Sequence, residues 1–150
     1  MAIALLLHLL FAVIWVGGMF FAWLCLRPAA GRLEPPLRAR LWVETLSRFF
    51  PWVWAAVAVL LASGIYMVRV LGGMGAVNPY VHAMIGLGVL MMLLFAHVFF
   101  APFRRLRRGI ANRDVAAAGK ALGQIRVLIA VNLLLGLLVL IAAAGGRAPY

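Results

Sequence analysis

The chain has 150 residues, is 67% hydrophobic and carries a formal net charge of +11, with a mean hydropathy of +1.12. Its length fits one domain, but soluble domains have an apolar share of about 45–50%, so an ordinary water-soluble fold is excluded. The basic residues flank apolar stretches and have no aromatic groove or zinc pattern beside them, which excludes nucleic acid as the reason for the charge.

A helix needs about 20 apolar residues to cross a bilayer core. Four segments meet this, at about 3–26, 50–71, 80–103 and 125–145. The first lacks a basic start and is followed by arginines, so it reads as a retained helix rather than a secretory signal. His8, Trp15, Gly18 and Ala22 share one face of it, and Gly18 with Ala22 forms a small-xxx-small step for helix packing. Cys25, the only cysteine, reads as a packing residue. Pro35 and Pro36 interrupt helix, and Leu37 to Phe50 reads as an amphipathic helix running into the second span. Trp52 and Trp54 mark one interface and Tyr80 the other. Gly72, Gly73, Gly75, Asn78 and Pro79 form a short turn between spans two and three. Asp114 to Gln124 is helix-compatible and extends the fourth span. Gly64, Gly86 and Gly136 are expected points of close helix approach. The fold expected is all-α: one four-span domain over 1–150, an integral membrane antiparallel four-helix bundle with short connections.

Twelve of the fourteen basic residues fall in two segments. Arg27, Arg32, Arg38, Arg40 and Arg48 occupy the first; Arg104, Arg105, Arg107, Arg108, Arg113, Lys120 and Arg126 the second; only Arg69 and Arg147 fall elsewhere. Cytoplasmic connections retain Lys and Arg, so both segments are expected inside, with the N- and C-termini outside. The cytoplasmic face is then a partner for anionic lipids. The three acids, Glu34, Glu44 and Asp114, all share these basic segments. Carboxylate relays across the membrane and paired-carboxylate catalysis are therefore not expected. No phosphate loop, nucleophile–base pair or zinc-protease spacing occurs, so no enzymatic activity is assigned.

Ionisable groups within spans are expensive and point to function. His8 is expected about 8 Å below the outer end of the first helix, and His82 about 3 Å below the outer end of the third. Arg69 approaches the same level from helix two. Imidazole suits both copper and heme iron. His8 and His82, with Met84 as a thioether, are candidate copper ligands. Alternatively His8 with His82 or His97 binds heme b, with Arg69 on a propionate and Gly86 leaving room for the ring. In a third reading the histidines only join helices, and the chain is an accessory structural bundle. His97 lies about 22 Å from His82 along the axis, too far to share a metal ion. It is paired by depth with Asn132, as a hydrogen bond or a second, inner ligand site.

The run His8-Leu-Leu-Phe-Ala-Val-Ile-Trp15-Val-Gly17-Gly18-Met-Phe-Phe resembles the first helix of the copper resistance protein D (CopD) family. Arg48-Phe-Phe-Pro-Trp52, Ser63-Gly64-Ile-Tyr66-Met67, the run from Met91 through His97 to Pro102, and Gln124-Ile-Arg126 before Asn132 and Gly136 are also similar. The resemblance implies a multi-pass bacterial inner-membrane protein in copper handling, including transfer across the membrane. It further implies a homo-oligomer or a periplasmic copper protein as partner. The His-x6-Trp-x-Gly pattern also resembles HemJ-type protoporphyrinogen oxidases, whose likeness implies heme b at His8. The fourth span here has no lysine, a departure from that family.

Overall fold

The computed structural model describes residues 1–146; Arg147, part of the charge pattern, lies outside the described residues. The elements are α1 (Ala2–Phe21), a π-helical turn (Ala22–Leu26), α2 (Arg27–Ala30), α3 (Pro35–Val70), α4 (Pro79–Phe100), α5 (Pro102–Ala111) and α6 (Val115–Gly145). No strand occurs among the described residues. Four helical segments are long and apolar enough to cross a membrane: Ala2–Ala30, Pro35–Val70, Pro79–Ala111 and Val115–Gly145. The expected all-helical, four-span architecture is what the chain adopts.

Large apolar side chains cover the outside of the bundle, with Ile3, Val13, Leu93 and Ile141 all exposed. Lipid tails are as apolar as leucine, so this surface is at no disadvantage in a bilayer. Association must then come from fit. Gly18 lies against the ring of Phe49, and Gly136 against Val16 and Met91. Gly86, expected to be a close-approach point, faces open space instead.

Helix α1 packs between α3 and α6, and α4 packs on α6. Aromatic rings bridge α3 to α4 and close the bundle. Phe50 stands 5.4 Å from Phe95 and 4.8 Å from Phe103, and Trp54 stands 5.0 Å from Phe95, all edge-to-face. That arrangement sets the positive ring edge on the negative face.

The arginine-bearing segments are mostly helix, as expected for Leu37 to Phe50 and Asp114 to Gln124, with α5 an addition that was not expected. In α3, Ala39, Trp42, Leu46, Phe50 and Val53 are buried at spacings of three and four, so one apolar stripe continues past Pro51 into the span. The third span ends earlier than expected. Pro102 has no N–H to continue the ladder, and Ala101 breaks the helix at φ −112, ψ −84. Helix α5 then buries Phe103, Leu106 and Gly109 and exposes Arg104, Arg105, Arg107 and Arg108. The turns are short. Arg38 donates to the carbonyls of Ala30, Gly31 and Leu33 at 2.9–3.2 Å, satisfying groups that the end of α2 leaves open. Asp114 accepts from the Ala117 N–H at 2.8 Å and caps α6.

Packing is uneven along the bundle. The buried core runs through the arginine-rich half. At the arginine-poor end, α4 has no buried residue before Met91 and α1 none before Trp15; in α3 only Ser63 is buried beyond Ala56. One end is thus a closed plug and the other is loosely packed.

Candidate functional site

His8 lies at the loosely packed end, on α1, half-buried. Helices α1 and α3 run antiparallel, and the register that sets Gly18 on Phe49 brings His8 to Ser63 and Gly64. The His8 Nδ1 is 2.8 Å from the Ser63 Oγ. Ser63 is 7% exposed, and its hydroxyl donates to the Val59 carbonyl one turn back at 2.6 Å. A serine inside a helix commonly bonds in this way to the i−4 carbonyl. A Cβ built on Gly64 would lie 3.7 Å from the His8 Cε1, so the glycine borders the imidazole edge. Met67 follows Ser63 by four residues and stands one turn further out on the same face of α3.

His82 is exposed near the start of α4, and its Nδ1–H donates to the Asn78 carbonyl at the N-cap of its own helix, 3.3 Å away. Arg69 is exposed in the last turn of α3, and Met84 is half-buried on α4. No hydrogen bond joins His82 or Arg69 to His8; the first histidine is tied to α3 and the second to its own helix end. Helix α6 packs against both α1 and α4, the two helices that carry these histidines. Among the described residues, no three of His, Cys, Asp or Glu gather closely enough to hold a metal ion.

The hydrogen bond expected between His97 and Asn132 does not form. Asn132 is 5% exposed and donates instead to the Met91 carbonyl at 3.4 Å, while its Oδ1 has no partner. His97 is exposed and lines an open groove of about 480 Å³ with Arg105, Gly123, Gln124, Val127 and Leu128. The register of α4 against α6 explains the difference. Met91 is level with Asn132, and six residues at 3.6 per turn carry His97 about 9 Å further along α4 and about 120° around it.

Ser63 was not singled out as a partner from the sequence. A signal for it exists: His8 is six residues from the start of α1 and Ser63 seven from the end of α3, which are matching depths in antiparallel helices.

A family model described as Copper resistance protein D matches residues 43–145. The chain belongs to this family. No curated protein and no solved structure matches it. The CopD match covers most of α3 and all of α4, α5 and α6, including Ser63, His82, Met84, His97 and Asn132. Helix α1, with His8, precedes the matched stretch. The protein is therefore a multi-pass membrane member of a copper-resistance family, and the role of His8 must be argued from its own surroundings.

Proposed function

We propose that this CopD-family protein handles copper in a bacterial inner membrane and takes Cu(I) as cargo at the arginine-poor end of the bundle. The observation that carries this is His8: an imidazole half-buried among apolar side chains, held by a hydroxyl on the neighbouring helix, at the end where packing is open. An ionisable group is costly at that depth and calls for a function. Imidazole and thioether both suit copper. Met67 supplies a thioether on the face of α3 that carries Ser63. His82 and Met84 are further donors, from α4.

Charge gives the direction. Retention of Arg-rich segments inside puts α2, α5 and the inner half of α3 at the cytoplasmic face, with both termini outside. His8 then faces the periplasmic side, open to a periplasmic copper protein or to a second copy of the chain. The basic face contacts anionic lipid headgroups.

The test is a Cu(I) titration of the detergent-purified protein against a chromophoric chelator, read together with its visible spectrum. The expected result is a colourless protein that binds Cu(I), weakened about tenfold or more by His8→Ala and little changed by His97→Ala. Equal affinity in both variants and the parent would remove the site. A Soret band with split reduced bands would establish heme b in its place, and histidine variants that alter only stability would establish an accessory bundle.

A further inference from the structure

The bonding around His8 specifies which of its two nitrogens is left for a ligand. The Ser63 hydroxyl has one proton. Its oxygen lies 2.6 Å from the Val59 carbonyl oxygen, and two oxygens at that distance repel unless a proton lies between them. The proton is therefore on the Ser63–Val59 line, and a lone pair of Oγ faces His8. The Nδ1 is 2.8 Å from the Oγ on that side, so Nδ1 must carry the ring's N–H. A neutral imidazole has only one N–H, which leaves Nε2 with its lone pair free. Burial of Ser63 keeps water from replacing the hydroxyl in this chain of bonds. Gly64 borders the ring at Cε1, the carbon between the two nitrogens, where an added Cβ would lie 3.7 Å away.

We infer that Ser63 is a positioning residue that holds His8 in its Nδ1–H tautomer and presents Nε2 as the nitrogen that takes copper. The ligand half of this inference rests on the copper reading above; the tautomer half does not. A hydrogen bond on one ring nitrogen generally sets which tautomer a metal-binding histidine adopts, and loss of such a partner typically lowers metal affinity about 10–100-fold. The device differs from the usual carboxylate or carbonyl partner in using a hydroxyl that is itself oriented by its own helix.

The experiment is 15N NMR of the histidine rings in the full chain, metal-free in detergent micelles, for the parent, Ser63→Ala and Ser63→Thr, followed by Cu(I) titration of the same samples. The parent is expected to show a His8 ring protonated at Nδ1. Ser63→Ala is expected to shift the ring toward Nε2–H and to weaken Cu(I) binding about tenfold or more. Ser63→Thr, which keeps the hydroxyl, is expected to restore both. A parent ring protonated at Nε2, or a tautomer that Ser63→Ala leaves unchanged, overturns the inference whatever copper does. An Nδ1–H ring in a protein whose Cu(I) affinity ignores His8→Ala overturns the copper reading, and the ligand half of the inference with it. The parent spectrum needs no variant to fold, so the tautomer is decided in any case.

Discussion

Asn132 brings an amide into the bundle core with one long hydrogen bond and one bare oxygen. A half-satisfied polar group contributes little, and replacing it by an apolar side chain of similar volume is often neutral. Asn132→Leu is therefore expected to change unfolding free energy in detergent by less than about 1 kcal/mol. Asn132→Asp places a charge where mid-membrane acids cost about 2.5–3.5 kcal/mol, and should unfold at clearly lower temperature. Thermal denaturation of the two variants checks this. His8 differs in kind, because its hydrogen bond to Ser63 is short, at 2.8 Å. The cost of burying a histidine made His8 legible in the sequence. Its partner was not, since depth follows from counting residues while facing follows from how helices rotate against each other. The same limit accounts for the hydrogen bond expected between His97 and Asn132, where the register of α4 on α6 gives Asn132 the Met91 carbonyl instead.

The elements read well wherever periodicity was long. Leu37 to Phe50, running into the second span, and Asp114 to Gln124, extending the fourth, were legible, and α3 and α6 take in both except Asp114, which caps α6. Helix α5 was missed because its four arginines looked like a loop, although Phe103, Leu106 and Gly109 share one face. Gly109 explains how α5 turns back so tightly. A Cβ there would lie 2.8 Å from the Ala118 main-chain nitrogen, and backbone cannot step aside as a flexible side chain can. Gly109→Ala is expected to destabilise by about 1–3 kcal/mol through overpacking. Gly123→Ala, with nothing within 4 Å of its added methyl, should be stabilising by up to about 1 kcal/mol from helix propensity. Parallel thermal melts of the two should move in opposite directions. The ion pair of Glu44 with Arg48, at 3.5 Å and largely exposed to solvent, is worth about 0.3–0.5 kcal/mol and is not a useful target.

At the scale of the whole molecule, two gradients coincide. Basic charge and tight packing are both concentrated at one end, and His8 lies toward the other. The charge gradient was visible in the sequence; the packing gradient was not, because apolar residues facing lipid and apolar residues facing the core are the same residues. The charge gradient predicts topology. In a Cys25→Ser background, a cysteine at Ala76 is expected to react with a membrane-impermeant thiol reagent from outside intact cells, and one at Asn112 only after the membrane is opened. The reverse pattern would invert the bundle and put His8 on the cytoplasmic side. The proposed function depends on copper meeting His8, and X-ray absorption at the copper edge reads that contact most directly. The Cu(I)-loaded parent is expected to show imidazole nitrogen scattering that disappears in His8→Ala and persists in His97→Ala. A copper environment that is the same in the parent and His8→Ala would contradict the account.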